Sequence, residues 1–263
     1  MIHRKNILSF SLFVFISIFP FSFLFASSDG EFKIRSNYQF QNISFTSDAH
    51  GGDLLFSYNL PKKWGFHGGV DYIDKFGDAA PGFRLGGTYW WTSSTFTSLE
   101  GAWAPYQVVI PRQDYLFEVG QILFKKLVPS LGYRFVDYKD DNTHMVIPTL
   151  TWYFHPRFIF TGKYFFSYLQ LNTKNTVNHA TMTKLSWRPW DPFQVFAGYA
   201  WGEESFESSN PVNPLGSFSA HHVLAGYSWE IYKGFGIDSS FDHEWRSNGT
   251  FLNTVNVALF YRW

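Results

Sequence analysis

Close to the C-terminus, His243-Glu244-Trp245-Arg246-Ser247 brings an imidazole, a carboxylate and a hydroxyl within five residues. Those groups can cleave lipid esters when the histidine takes the serine proton. The spacing argues against it. Ser247 lies four residues beyond His243, about 13 Å along an extended strand, too far for that transfer. Ser247-Asn248-Gly249 also has the composition of a turn. A membrane-lipid-modifying enzyme remains an alternative reading, in which replacing His243 or Glu244 abolishes activity. The adjacent His221 and His222 point to opposite faces of a strand and cannot share a metal. Glu203, Glu204 and Glu207 with Asp140 and Asp141 form an acidic loop group able to attract Ca²⁺, although loop carboxylates are ordinarily just solvated. The chain has no Cys, no glycine-rich phosphate loop and no nucleophile elbow, so no catalytic residue, cofactor or metal is assigned.

A second set of chemically capable residues is spread along the chain: Asp71, Arg84, Glu100, Glu118, Arg134, Lys163, Lys184, Glu203, Glu230, Asp238, Asp242 and Arg262. Each is read as lying on the polar face of a strand whose other face is apolar. Facing a lumen, they either line a pore that selects solutes or pair with one another and fill it. Both readings stay open at this point. Lys plus Arg and Asp plus Glu number 21 each, so no bulk positive field favours a nucleic-acid partner.

The elements that position these residues follow from a period of two. Phe235, Ile237, Phe241 and Trp245 share one face, with Asp238, Asp242 and Glu244 opposite. Phe251, Val255, Val257, Leu259, Tyr261 and Trp263 repeat the pattern against Thr254, Asn256 and Arg262. Phe193, Val195, Tyr199 and Trp201 do so too, as do Phe83, Leu85, Tyr89 and Trp91, and Phe158, Phe160, Tyr164, Phe166 and Tyr168. Asn142 to Phe154 and Asp114 to Lys125 alternate poorly, and their facing is left unassigned. The expected fold is all-β: a transmembrane antiparallel up-and-down barrel of about fourteen strands, or twelve if two weak segments are not strands. Short connections at Pro61–Gly65, Thr92–Thr95, Lys125–Val128, His155–Arg157, Arg188–Pro192 and Tyr232–Gly234 alternate with longer ones, culminating in Glu203–Ser217. This is the asymmetry of periplasmic turns and external loops.

Trp64, Trp91, Trp152, Trp187, Trp190, Trp229, Tyr232 and Trp263 fall near the short turns, while Tyr106, Tyr138, Tyr168, Trp201 and Trp245 fall near the opposite ends. Two such belts suit a spanning barrel. Aromatic residues are 22% of the chain, which in a soluble β-sandwich would expose a large apolar surface. At the N-terminus, His3, Arg4 and Lys5 precede an apolar stretch from Ile7 to Phe25 and the small residues Ala26 to Ser28. Residues 1–26 are read as a cleaved signal peptide and 27–263 as the barrel, a retained anchor being the competing reading.

Leu131-Gly132-Tyr133-Arg134-Phe135 with Asp137 and Tyr138, Thr151-Trp152-Tyr153-Phe154 leading into Gly162-Lys163-Tyr164-Phe165, and Gly198-Tyr199-Ala200-Trp201-Gly202-Glu203-Glu204 carry a resemblance to the YaiO-like outer-membrane β-barrel family. It extends over the central and C-terminal two thirds of the chain. The resemblance implies residence in the outer membrane of a Gram-negative bacterium, in contact with lipid and lipopolysaccharide. It also implies a terminal strand, here with Leu259, Tyr261 and Trp263, that the barrel-insertion machinery recognises. It implies no established reaction. The functions that fit are a channel or an export or surface-envelope component, with a small solute or polysaccharide as what it handles. A closed structural or adhesive barrel using the 203–217 loop is the alternative.

Overall fold

The computed structural model describes residues 30–75, 78–105, 111–138, 141–170, 175–203 and 219–263. The expected signal peptide at 1–26, Tyr106, Asp140, Glu204, Glu207 and nearly all of the 203–217 loop lie outside them. Fourteen strands follow one another: β1 Glu31–Ile43, β2 Ala49–Leu60, β3 Trp64–Lys75, β4 Asp78–Trp90, β5 Thr95–Trp103, β6 Gln113–Gln121, β7 Leu127–Asp137, β8 Asn142–His155, β9 Phe158–Gln170, β10 Asn175–Trp190, β11 Phe193–Glu203, β12 Ser219–Tyr232, β13 Phe235–Arg246 and β14 Phe251–Arg262. Each pairs antiparallel with its neighbours in sequence, and β14 returns to β1 to close the barrel. Lipid offers no hydrogen bonds, so a spanning sheet must leave no open edge.

The closing seam runs in register from Lys33↔Arg262 to Ile43↔Leu252. At its end Phe32 and Trp263 each donate a backbone N–H to the other's carbonyl at 3.0 Å, and their rings stack 5.5 Å apart. Tyr261 stacks on Trp263 from within β14. Strand β14 alternates cleanly: Val255 and Val257 are exposed, whereas Leu252, Ala258 and Phe260 are buried. Following the cross-strand partners carries that parity around the whole wall. The outward face then carries the large exposed residues, among them Phe56, Val70, Leu85, Leu99, Leu131 and Phe241, as a lipid-facing surface requires.

The turns expected to be short are short. Only Asp191 and Pro192 separate β10 from β11, and only Lys233 and Gly234 separate β12 from β13. Reversal in so few residues needs left-handed backbone, found at Lys62, Phe124, Lys125, Lys233 and Gly234. Register shifts between Trp187 and Trp190 and between Glu230 and Tyr232 reset the alternation, so Trp190 and Tyr232 stay exposed beside Trp187 and Trp229 in the periplasmic girdle.

The opposite rim uses a repeated device. His50, His144, His179 and His221 lie near the extracellular ends of β2, β8, β10 and β12. Their Nδ1 atoms are 2.5–2.7 Å from the phenol oxygens of Tyr38, Tyr133, Tyr164 and Tyr199 on the preceding strands. The pairing satisfies polar atoms that would otherwise face the membrane border unpartnered. Trp201 and Trp245 flank His221, the latter stacked on it at 5.5 Å. Tyr138, expected in this belt, is instead buried with Val136, Met145 and Ile147 in an apolar cluster.

Two outcomes follow from this wall. Arginine in place of outward Val257, midway along β14, should lower stability in phospholipid vesicles by about 2–4 kcal/mol, whereas arginine at lumen-facing Asn256 should change it by less than about 1 kcal/mol. Guanidinium unfolding followed by tryptophan fluorescence measures both. At Gly234, φ is 87° and an added Cβ would collide with the Arg262 carbonyl oxygen. Gly234→Ala should therefore cost about 1–3 kcal/mol in the same assay.

Candidate functional site

The lumen wall is where the polar chemistry collects. Carried around the barrel by register, the inward parity takes in Asp71 on β3, Arg84 on β4, Glu100 on β5, Glu118 on β6, Arg134 on β7, Lys163 on β9, Lys184 on β10, Glu230 on β12, Asp238 and Asp242 on β13 and Arg262 on β14. Glu203 is the correction. It pairs with Ser219 in the series of Tyr199↔Val223 and Trp201↔His221, which is the outward parity. At the extracellular end of β11, beyond the apolar band, a carboxylate on that side meets water rather than lipid.

The structure adds lumen residues that the sequence reading left out: Glu31, Lys33 and Arg35 on β1, Asp53 on β2, Asp114 on β6 and Arg246 on β13, beside Glu244, which the alternation had placed on the polar face of β13. Their signal was the same period of two. Lys33 and Arg35 alternate with Phe32 and Ile34 on a strand whose pattern had not been singled out.

Most of these charges are paired. Arg134 holds Asp114 through two hydrogen bonds, at 2.8 and 2.5 Å. Arg84 lies 3.6 Å from Asp71, and Arg35 lies 3.3 Å from Asp238 and 3.9 Å from Asp53. His67 meets Glu100 at 3.6 Å, and His222 meets Asp242 at 3.4 Å. Arg246 and Glu244 form a buried pair next to one another on β13. At the periplasmic mouth Arg262 joins Glu230 and Glu31, while Glu230 also accepts a hydrogen bond from Gly234 N–H at 2.8 Å. This knot ties the last turn to the closing seam.

The partners share a strand or sit one or two strands apart around the ring. Among the described residues, no ion pair reaches across the barrel. With strands about 4.8 Å apart and tilted about 40°, fourteen of them close at a backbone diameter of roughly 28 Å. Pairs of this kind therefore line the wall. A recess of about 410 Å³ opens between Phe165, Met182, Phe196, Leu224 and Asp242 on one side of the lumen.

The hydrolase ingredients are not assembled. His243 Nδ1 lies 2.7 Å from Asn253 Oδ1, and Ser247 Oγ accepts the backbone N–H of Ser219 at 3.1 Å. His221 and His222 take opposite parities on β12, as their adjacency required. Among the described residues no group of three His, Cys, Asp or Glu side chains is placed to hold a metal ion.

Residues 30–187 match the model of the YaiO membrane beta barrel domain. The chain belongs to that family. The match begins at β1 and ends in β10. It therefore includes the Leu131–Tyr138, Thr151–Phe154 and Gly162–Phe165 segments, but not Gly198–Glu204, and it reaches further toward the N-terminus than the resemblance suggested. No curated protein matches the chain. Among solved structures, a bacterial polysaccharide outer membrane secretin aligns with a TM-score of 0.58 at 12% identity, covering 88% of this chain and 98% of its own. The TodX deltaS2S3 mutant monoaromatic hydrocarbon channel aligns at 0.55 and 11% identity, covering 91% of each. A loop-deleted OmpT, an outer membrane protein of Vibrio cholerae, aligns at 0.53 and 10% identity, covering 90% of this chain and all of its own. At such identities the likeness is one of fold. Family and fold together place the YaiO barrel in the Gram-negative outer membrane.

The wall pairs differ in what their loss should cost. Asp114→Asn removes the charge and one of the two acceptor oxygens that hold Arg134, turning an NH2 donor toward the guanidinium, and should destabilise the YaiO barrel by about 1–3 kcal/mol. Glu118 makes no ion pair with a described residue, and Glu118→Gln should stay within about 0.5 kcal/mol of the parent. Urea midpoints in vesicles separate the two.

Proposed function

We propose that this YaiO barrel is a channel for small hydrophilic solutes across the outer membrane, acting without catalysis. The observation that carries this reading is the direction of its ion pairs. A barrel closed for anchorage alone gains most by joining charges across its axis, since buried charges must be paired and packed. Here the pairs join strands no more than two apart in a ring of fourteen, and the charged heads remain partly exposed, as with Arg35 at 31% and Arg134 at 32%. Lumen charges exposed to a water-filled path bias which ions and solutes pass.

The solved structures of like fold include a polysaccharide secretin and a hydrocarbon channel, so walls of this general fold accommodate conduits of several sorts. The polar lining of this lumen favours hydrophilic cargo over hydrocarbon. An export or surface-envelope role, with a polysaccharide as cargo, is compatible with the same wall.

The folded barrel reconstituted in planar bilayers should show discrete single-channel steps in potassium chloride. A barrel whose heat-modifiable gel mobility proves it folded, yet which never conducts, overturns the proposal in favour of a closed anchor. Replacing His243 by Asn should leave outer-membrane lipid composition unchanged, and a changed lipid profile would bring the enzymatic alternative forward.

A further inference from the structure

The lumen carboxylates are not evenly distributed. Among the described residues, every carboxylate of inward parity lies on β1–β6, β12 or β13. On the five consecutive strands β7–β11 the acids are Asp137 and Glu203, both at extracellular ends and both on the outward parity. The inward face of that arc carries Arg134, already held by Asp114 on β6, two lysines, and at its periplasmic end Arg188, 3.7 Å from Asp191. Lys163 pairs in register with Thr149 and Met182, and Lys184 with Thr161 and Gly198. They are diagonal neighbours, with side chains rooted roughly 7 Å apart. Neither makes an ion pair with a described residue. Lys184 places its ammonium 5.5 Å above the Phe196 ring. The hydroxyls of Thr149, Thr151 and Thr161 share the inward face around them, the last two 3.4 Å apart.

Two ammonium groups side by side repel each other, and the wall supplies no counter-charge on either flank. The nearest acid in Lys184's own row is Asp242, three strands away through Gly198 and Leu224, and it is engaged by His222. An anion set between the lysines removes the repulsion and gains charge-assisted hydrogen bonds from both, with hydroxyl donors beside them. The opposite arc, rich in carboxylates, repels the same anion and keeps it on this side. We infer that Lys163 and Lys184 form an anion-binding station on the lumen wall, taking the carboxylate or phosphate group of a small organic solute. The inference deepens the channel reading by naming the solute's charged group.

Binding is tested apart from conduction. Folded barrel in detergent micelles is titrated against inorganic phosphate, followed by phosphorus NMR line width, and against acetate, followed at its carboxyl carbon. Broadening is expected with the parent barrel. The Lys163→Gln/Lys184→Gln double variant should bind roughly tenfold more weakly or not at all. A control, Lys62→Gln/Lys63→Gln in the turn after β2, should bind like the parent. Tighter binding of phosphate assigns a phosphorylated solute, and tighter binding of acetate a carboxylated one. Equal broadening by parent and double variant, or none by the parent with either anion, overturns the station. In bilayers under a potassium chloride gradient, the double variant should lose anion preference relative to the parent. A pore that conducts with unchanged selectivity overturns the station but leaves the channel standing. Binding by a barrel that never conducts keeps the station and removes the channel.

Discussion

Every backbone N–H and C=O in the membrane must find its partner within the protein, and the seam between β1 and β14 is where this chain meets that requirement. Thirteen hairpin and neighbour pairings form between strands adjacent in sequence. The fourteenth joins residues more than two hundred positions apart. Without it two edges would stand open in lipid, each a row of unsatisfied groups costing several kcal/mol apiece. The paired backbone of Phe32 and Trp263, their stacked rings, and the Arg262, Glu230 and Glu31 knot all sit at the periplasmic end of this seam. Leu259, Tyr261 and Trp263 thus serve the closed barrel directly.

Closure converts a local alternation into a global partition. Once β14 is registered on β1, the parity of one residue dictates the parity of every other, and side chains divide between lipid and lumen. Two bulges at the periplasmic ends of β10 and β12 break that rule where breaking it helps, turning Trp190 and Tyr232 outward. At the other rim, the Tyr–His pairs let imidazoles occupy the outward face without leaving Nδ1 unpartnered. The polar atoms at both borders are handled by local chemistry, while the lumen is left to long-range arrangement.

How much of this was legible depended on where apolar residues faced. β13 and β14 were plain because their outward residues are apolar and their inward ones polar. β8 was not, because its inward face is itself apolar over Met145 and Ile147, which pack with Val136 and Tyr138. The alternation there is apolar against apolar, so period two disappears. The same cluster drew Tyr138 away from the rim belt. Glu203 was misplaced for a different reason: charge suggested the lumen, although its parity matched Trp201, and strand ends outside the apolar band tolerate charge on either face. Arg35 and Asp53 lie on β1 and β2, whose alternation had not been singled out, and Asp114 opens a segment that alternates poorly, yet Arg134 holds Asp114 through two hydrogen bonds and Arg35 meets both Asp238 and Asp53.

By itself, the sequence determined the all-β class, a barrel of twelve or fourteen strands, the six short turns and the outer-membrane setting, because alternation, turn composition and aromatic placement are local properties that survive without knowing what touches what. Tertiary structure decided which charges meet. Arg35 reaches Asp238, Arg262 reaches Glu230, and Lys163 and Lys184 stand together without an acid, because these outcomes depend on the register of strands far apart in the chain. A shift of one residue would send each of these side chains to the other face. His243 and Ser247, the pair that suggested lipid-ester hydrolysis, likewise found separate partners once β12 and β14 were in place.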